Sequence, residues 1–415
     1  MKFTNLGVSQ RIVQILDNKG ITKPTEVQVK SIPPLLKGSD VVCQAQTGTG
    51  KTYAFLLPIF EKIDPTISDL QAVIITPTRE LAIQITAEAK RLAEGKDVTI
   101  LSAYGGKDIG RQTKKLHKGV QLVIGTPGRL QDYIAKNKIN LGRLSMVVLD
   151  EADQMFHMGF LEEVEAIMQK MPKKERQTML FSATMPGQIR ALASRHMSNI
   201  KEIKIQGSTV TLDDTKQLVI LTSETKKVEA LCNYIEENHP FMAIIFCHSK
   251  QRAVELNMAL RQRGYNCEEL HGELSQSKRE KVMKDFRNLK TQFLVATDLA
   301  ARGLDIEGIT HIFNYDTPQN AEWYIHRIGR TGRMGEKGVA ITFVTPKDQQ
   351  KLAAIERGIK LTLSKKKAFA KDGKFEAKAP KRKEKPKKVV PKRPSKKKLK
   401  KVKGVKRKRK DSDQS

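Results

Sequence analysis

The stretch Met146-Val-Val-Leu-Asp-Glu-Ala-Asp153 places adjacent carboxylates directly after a continuous apolar run. Such a run is typical of a buried parallel strand with the acids at its carboxyl end. About a hundred residues earlier, Ala45-Gln-Thr-Gly-Thr-Gly-Lys-Thr52 lies between a strand pattern and a helix pattern. Loop N–H groups and one ammonium can bind phosphates, while the carboxylates can serve a metal ion and a water. The two stretches together predict an ATPase.

Each stretch alone has a simpler explanation. A glycine-containing turn would account for residues 45–52, in which Ala45 stands where the usual phosphate-loop pattern has its first glycine. Acidic residues after a strand would also be favoured by the dipole at a helix N-terminus. The occurrence of both stretches in this order makes these simpler explanations the weaker ones.

Positive charge is concentrated at the end of the chain. Residues 365–415 contain 25 Lys or Arg and 5 Asp or Glu, and so carry +20 of the formal net charge of +31. This distribution indicates a polyanionic partner, with nucleic acid first and an anionic membrane surface second. We expect residues 364–415 to be disordered, because they cannot bury enough apolar surface to offset ordering. The tail would then be a non-specific RNA tether, although a solubilising tail and a nuclear localisation signal remain alternatives.

Composition also bears on location and redox state. No stretch reaches the roughly 18 apolar residues of a membrane-spanning helix, and the first residues show no signal-peptide core. The four cysteines lack CxxC spacing, which favours buried free thiols over disulfides or zinc ligands. We therefore expect a reducing, cytoplasmic environment.

Two series of apolar strand patterns alternate with helix-length segments through residue 345. A polar stretch of small residues separates the two series. The pattern predicts an α/β protein whose parallel sheets are covered by helices on both faces. We expect a first domain at 1–206, a linker at 207–215, a second domain at 216–363 and the tail at 364–415.

From Phe3 to about Val344 the chain resembles the DEAD-box RNA helicases, through motifs that occur in the family's order. The resemblance covers both α/β domains and leaves the tail unexplained. It implies two tandem RecA-like domains, with ATP and Mg²⁺ in the cleft between them and RNA lying across both. Residues 20–28 resemble the adenine-recognising Q motif, although Ile21 departs from the family's usual aromatic.

The resemblance also implies individual roles. Gln28 would read adenine, Phe3 would stack on it, and Thr52 with Asp150 would hold Mg²⁺. Glu151 would polarise the attacking water. The implied nucleotide-binding set is Phe3, Gln28, Ala45, Gln46, Thr47, Gly48, Thr49, Gly50, Lys51, Thr52 and Asp305, and the implied catalytic set is Lys51, Asp150, Glu151, His326, Arg330 and Arg333.

Further roles concern coupling and RNA. Ser182, Thr184 and Asp153 would couple the nucleotide state to domain closure. Hydroxyls, glycine N–H groups and arginines after strands are suited to a sugar–phosphate backbone, which predicts little sequence specificity. The implied RNA contacts are Pro77, Thr78, Arg79, Gly106, Thr126, Arg129, Gly272, Gln276, Arg279 and Thr297.

We expect an RNA-stimulated ATPase that opens short duplexes locally or remodels RNA–protein complexes. An ATP-gated RNA clamp or annealing chaperone is the alternative, and a DNA translocase is disfavoured by the Q motif. Bacterial cytoplasmic members with simple tails act in ribosome assembly, RNA degradation or cold response. The sequence does not choose among these roles, and it leaves open ribosomal precursors or RNA-decay machinery as partners.

Overall fold

A computed structural model describes residues 1–46, 48–94, 96–105, 119–174, 176–205, 215–301, 306, 308–332, 338–368 and 377–378. Within these ranges the chain forms two separate sheets flanked by helices. The prediction of two tandem α/β domains is confirmed. The predicted linker lies outside the described residues except for its last position, and so does the tail beyond residue 378.

The first domain has seven described strands and eight described α-helices. The strands are β1 Val41–Gln44, β2 Ala72–Ile75, β3 Ile100–Ala103, β4 Leu122–Gly125, β5 Met146–Asp150, β6 Gln177–Ser182 and β7 Lys201–Lys204. The helices are α1 Gln10–Asp17, α2 Glu26–Leu36, α3 Lys51–Lys62, α4 Arg79–Leu92, α5 Pro127–Ala135, α6 Ala152–His157, α7 Leu161–Gln169 and α8 Gly187–His196.

The second domain repeats the alternation. Its described strands are β8 Thr215–Leu221, β9 Ala243–Cys247, β10 Cys267–Leu270, β11 Phe293–Thr297, β12 His311–Asn314, β13 Gly338–Val344, β14 Ser364–Lys367 and β15 Ala377–Lys378. Its described α-helices are α9 Lys227–Asn238, α10 Lys250–Gln262, α11 Gln276–Arg287, α12 Asp298–Ala301, α13 Ala321–Ile328 and α14 Gln349–Ile359.

The first sheet has the order β3-β4-β2-β5-β6-β1-β7, and all its described pairings are parallel. Its central strands β2, β4, β5 and β6 are buried along their whole length, as continuous apolar runs predict. Strand β6 lies between β5 and β1, and parallel strands end at the same edge of a sheet. This order therefore brings the acidic stretch and the glycine-bearing loop to neighbouring positions.

The second sheet has the order β10-β11-β9-β12-β13-β8-β14-β15 and is parallel except for its last pair. Separate apolar clusters cover the faces of each sheet, which is the arrangement of a layered α/β domain. Among the described residues, no helix combines the length and apolarity that crossing a membrane requires.

One predicted boundary is wrong, because residues 364–367 belong to the second sheet and not to the tail. Strand β14 pairs in parallel with Leu218–Leu221 of β8, and Lys365 Nζ lies 3.1 Å from Glu356 Oε1. The flanking side chains of Leu363 and Ala368 are buried. A run of lysines is typical of a solvated tail, yet the backbone of residues 364–367 pairs with β8.

Removal of residues 364–415 should therefore destabilise the second domain, whereas removal of residues 369–415 should not. The longer deletion loses the β14–β8 backbone hydrogen bonds, at a cost of about 2 kcal/mol for roughly four bonds of net ~0.5 kcal/mol each. Urea unfolding followed by fluorescence reports this domain, because Trp323 is the only tryptophan of the chain. Equal unfolding midpoints for the two truncated proteins would show that β14 contributes nothing.

Candidate active site between the two domains

The loop after β1 is shaped by two glycines with a left-handed backbone. Gly48 has φ of +81° and Gly50 has φ of +90°, values that residues with a Cβ rarely adopt. A Cβ on Gly50 would also lie 2.7 Å from Gln28 Nε2. Because α3 begins directly after Gly50, the unpaired N–H groups of its first turn open onto the loop, as an anion site requires.

A cavity of 560 Å³ beside this loop is lined from both domains. Its wall includes Gly48, Gly50, Lys51, Thr52, Asp150, Glu151 and Arg330. The ammonium of Lys51 is buried and donates to the carbonyl of Ala45 at 3.1 Å. An ammonium has three donors, so Lys51 retains two for a phosphate.

The remaining loop residues have structural contacts. Thr49 Oγ1 donates to the carbonyl of Gln46 at 2.7 Å and closes the loop on itself. The backbone N–H of Ala45 donates to the carbonyl of Ser182 at 2.9 Å, which ties the loop to β6. Thr47 lies outside the described residues, as do Gly106, Asp305 and Arg333 among the other predicted positions.

The acidic pair stands at the end of β5. Asp150 is the last residue of the strand, and Glu151 has φ of +51°, an uncommon backbone for a residue with a side chain. Both residues are buried. Burial raises the pKa of Asp150 to about 7, against the opposing effect of Lys51 and with the support of Glu151. Glu151 Oε2 has no hydrogen-bond partner within the described chain.

These groups fit a hard divalent cation. Asp150 and Thr52 both line the cavity with oxygen ligands, the type that Mg²⁺ prefers. A buried carboxylate whose pKa is raised, beside a carboxylate oxygen without a partner, is a site whose negative charge lacks compensation. The donor set therefore agrees with the predicted metal role of Thr52 and Asp150.

Strand β6 links the acidic stretch to the second domain. Ser182 Oγ accepts a hydrogen bond from the N–H of Asp153 at 3.0 Å. Asp153 Oδ2 accepts from the backbone N–H of Thr184 at 2.9 Å, and Thr184 Oγ1 lies 3.1 Å from the same oxygen. The same hydroxyl lies 2.6 Å from Glu322 Oε1 of α13. The three predicted coupling residues thus meet each other and also a residue of the other domain.

Helix α13 brings His326 to the acidic stretch. His326 Nε2 lies 2.9 Å from Gln154 Nε2 and 3.9 Å from Asp153 Oδ2. One turn earlier on the helix, Glu322 Oε1 lies 3.1 Å from His157 Nε2. The close approach of His157 lowers the pKa of Glu322 to about 2.

Sequence reasoning missed Glu322, Gln154 and His157. The available signal was the spacing of four residues between an acid and a histidine, which occurs on both helices of this contact. Such a spacing places both side chains on one helix face.

A buried ion pair positions α13, and sequence reasoning missed it as well. Arg327 is paired with Asp298, with Nη2 2.7 Å from Oδ2, and its Nη1 donates to the carbonyl of Asp316 at 2.7 Å. Its side chain is 2% exposed. The pair holds α13 against the end of β11, immediately after Thr297. Arg330 lies in the turn that follows α13, where its N–H donates to the carbonyl of Arg327, so the same contact helps to place its side chain at the cavity.

The predicted adenine-reading residues are buried. Gln28 Oε1 accepts from the N–H of Thr25 at 2.9 Å, and Gln28 Nε2 donates to the carbonyl of Gly50 at 3.0 Å. An amide keeps one further donor and one further lone pair after two such bonds. Phe3 is 1% exposed within the core of the first domain, and the cavity is lined instead by Ile21 and Tyr53. The structure thus places Phe3 in the core and not on the cavity wall.

Several predicted RNA-binding residues meet across the domain boundary. Arg79 Nη1 donates to Gln276 Oε1 at 3.1 Å, and Arg279 forms an ion pair with Glu80. Arg279 Nη2 also donates to the carbonyl of Ala300 at 2.7 Å. The first turns of α4 and α11 therefore bring predicted RNA-binding residues of both domains together.

The other predicted RNA contacts lie at strand ends and helix starts. Thr78 caps α4 by accepting from the N–H of Leu81, and Thr126 is the residue before α5. Arg129 Nη1 is buried with no hydrogen-bond partner within the described chain, which leaves a cationic donor available to an anion. Pro77 precedes the α4 cap, and Gly272 follows β10, with open space where a Cβ would lie.

Two family models match the chain. The model described as DEAD/DEAH box helicase matches residues 25–213, and the model described as helicase conserved C-terminal domain matches residues 226–335. The DEAD-box ATP-dependent RNA helicase CshA of Bacillus cereus is 46% identical over 358 residues, which cover 86% of this chain and 68% of that protein. The Geobacillus kaustophilus protein of the same name is also 46% identical, over 86% of this chain and 76% of its own length.

Solved structures show the same architecture. S. cerevisiae Dbp5 bound to RNA and ADP BeF3 is 30% identical, with a TM-score of 0.79 over 89% of this chain and 97% of that one. Mss116p bound to ssRNA and AMP-PNP is 29% identical, with a TM-score of 0.77 over 87% of this chain and 77% of that one. A DEAD box protein from Methanococcus jannaschii is 41% identical, with a TM-score of 0.52 over 88% and 99% of the two chains.

Replacing Arg327 by Lys should destabilise the second domain by about 3 kcal/mol. Lys keeps the charge but cannot form both hydrogen bonds to Asp298 and the bond to the carbonyl of Asp316, and each hydrogen bond of a charged group is worth about 1.5 kcal/mol or more. ATP turnover should fall as well, since Arg330 loses its fixed position. Nucleotide affinity of the first domain should change little. Urea unfolding and steady-state turnover measure the two effects, with the exposed Arg357→Lys as the control. Unchanged stability and turnover in Arg327→Lys would contradict this role.

Proposed function

The chain belongs to the DEAD-box family of ATP-dependent RNA helicases, and from that premise we propose how its own residues couple hydrolysis to RNA. The single observation that carries the proposal is the cavity lined by Lys51 and Glu151 from one domain and Arg330 from the other. The groups that would serve one reaction are divided between the two domains, so the reaction depends on closure of the domains. RNA that lies across both domains would favour that closure.

Each residue of the cavity has its own role in phosphoryl transfer. Lys51 binds the terminal phosphates, and Glu151 accepts a hydrogen bond from the attacking water through its unpartnered oxygen. Arg330 stabilises the charge that develops on the leaving phosphates. Thr52 and Asp150 would hold Mg²⁺, which would neutralise phosphate charge when it is bound. Arg333 has the same proposed role as Arg330.

RNA binding uses the surface formed by the strand-end loops of both domains. Two observations support binding of the RNA sugar–phosphate backbone at this surface. Arg129 has a buried donor without a partner in the described chain, and Arg79 and Arg279 make contacts across the domain boundary. The similarity to relatives that are bound to RNA and a nucleotide analogue, with TM-scores of 0.79 and 0.77, supports a closed arrangement of the two domains. A closed arrangement that bends one strand would open a short duplex locally. Long processive unwinding does not follow from it.

Glu151→Gln should abolish RNA-stimulated ATP turnover, with a loss of about 10²- to 10⁴-fold, the range expected for a general base. ATP and RNA binding should persist, because Gln preserves size and hydrogen bonding. Initial-rate phosphate release with and without RNA measures the effect, and the exposed Glu162→Gln serves as the matched control. Turnover by the unaltered protein that is equal with and without RNA would contradict the proposal.

The strongly basic C-terminal segment favours a second candidate, an ATP-gated clamp that anneals RNA strands. A protein ending at residue 368 keeps β14 and removes most of the +20 segment. If the chain is a helicase with a tether, this protein should still unwind a short duplex. Its annealing should weaken, and its RNA affinity should depend less steeply on salt, because fewer counterions are released. Complete loss of unwinding would favour the clamp.

A further inference from the structure

Two short helices face each other across the domain boundary with the same arrangement of side chains. Helix α6 of the first domain carries Asp153 and His157, and α13 of the second carries Glu322 and His326. In both helices the acid and the imidazole are four residues apart, a spacing that places them on one face. Each helix thus presents one carboxylate and one imidazole to the other.

Three of the four side chains converge, and the fourth, His157, lies beside one of them. Asp153, Glu322 and His326 each offer one ligand atom such that all three atoms lie within 4.8 Å of one another. His157 Nε2 extends the cluster, at 3.1 Å from Glu322 Oε1. Asp153 and Glu322 also approach the same hydroxyl, Thr184 Oγ1, at 3.1 and 2.6 Å. A hydroxyl has one hydrogen, so it can donate to only one of these carboxylates at a time.

The cluster contains an unsatisfied group and adjoining space. His157 Nε2 is buried and makes no aligned hydrogen bond within the described chain, despite its short distance from Glu322. A cavity of 20 Å³, lined by residues that include His157, Trp323 and His326, lies beside it. That volume suffices for one water molecule or one ion.

We propose that Asp153, Glu322 and His326 form a binding site for Zn²⁺ that bridges the two domains, and that His157, beside Glu322, turns to complete it as the fourth ligand. Two imidazole nitrogens and two carboxylate oxygens are a set of ligands that Zn²⁺ takes, at about 2.0–2.2 Å in tetrahedral geometry. Mg²⁺ is a poor occupant, because it prefers oxygen ligands in an octahedron. The site is therefore chemically distinct from the position of Mg²⁺ at Thr52 and Asp150.

Zinc at this position would act as an inhibitor. Two of its ligands come from each domain, so the complete site exists only when the domains are together. Bound Zn²⁺ would hold the domains closed, and a cycle that requires reopening would slow. Trace zinc would then convert a cycling helicase into a persistent clamp on RNA.

The test is calorimetric titration of ZnCl₂ into the full chain, held closed by RNA and Mg²⁺ with AMP-PNP. We expect one zinc ion per chain, and at least about tenfold weaker binding by His157→Asn, the order of loss seen when groups of a metal site are removed. His157→Cys supplies a different zinc ligand and should restore tight binding. His239→Asn, an exposed position whose left-handed backbone suits Asn, is the matched control.

Energy transfer between dyes on the two domains gives a second readout. Zinc should slow the loss of the closed state after RNA is removed in the unaltered protein and in His239→Asn, but not in His157→Asn. The unfolding midpoint of His157→Asn without zinc, compared with that of His239→Asn, shows that the variant is folded. Equal zinc affinity in the unaltered protein and His157→Asn would overturn the proposal. Absence of zinc binding to the closed unaltered protein would do the same.

Discussion

We propose that communication between the domains depends on the hydroxyl of Thr184. It lies within hydrogen-bond distance of Asp153 in the first domain and of Glu322 in the second. Asp153 is fixed in turn by the backbone N–H of Thr184 and by its own N–H on Ser182. A displacement of α13 therefore acts through Thr184 on the second residue of α6. Glu151 and the domain interface are only two residues apart.

Unsatisfied charge makes the same region responsive to ligands. Asp150 is buried with a pKa raised to about 7, and Glu151 has a left-handed backbone and an oxygen without a partner. Each feature has a cost in the ligand-free protein, since buried polar groups are stable only when they are paired. In the proposed function, a bound nucleotide with its cation would supply the missing partners, and closure would add Arg330. Binding, closure and hydrolysis would then depend on one set of residues.

The fold and the strand–loop–helix arrangement around Lys51 could be predicted from the sequence, because they rest on local patterns. Continuous apolar runs predicted buried parallel strands, and the glycines before Lys51 predicted a loop that only glycine can form. Strand β14 could not be predicted, since three lysines mask a backbone contribution to the sheet. The position of Phe3 was also inaccessible, because an aromatic residue suits a core and a ligand surface equally well.

Contacts between the domains were the least predictable part. Several of these side chains act only through partners that lie far away in the sequence, as in the contact of Glu322 with His157 and the ion pair of Arg327 with Asp298. The sequence shows the spacing of acid and histidine on each helix, but it does not show which helix packs against which. Long-range contacts of this kind depend on how separately folded parts of the chain pack against each other, and no local sequence pattern predicts that packing.

The central claim is that closure through Thr184 assembles the catalytic site, and the distance between the domains tests it most directly. Energy transfer between one dye on each domain should show a predominantly closed protein only when RNA and an ATP analogue are both present. Thr184→Val should reduce that closed fraction, while Thr86→Val, at a buried threonine that bonds within α4, should leave it unchanged. An equal closed fraction in Thr184→Val and the unaltered protein would contradict the account.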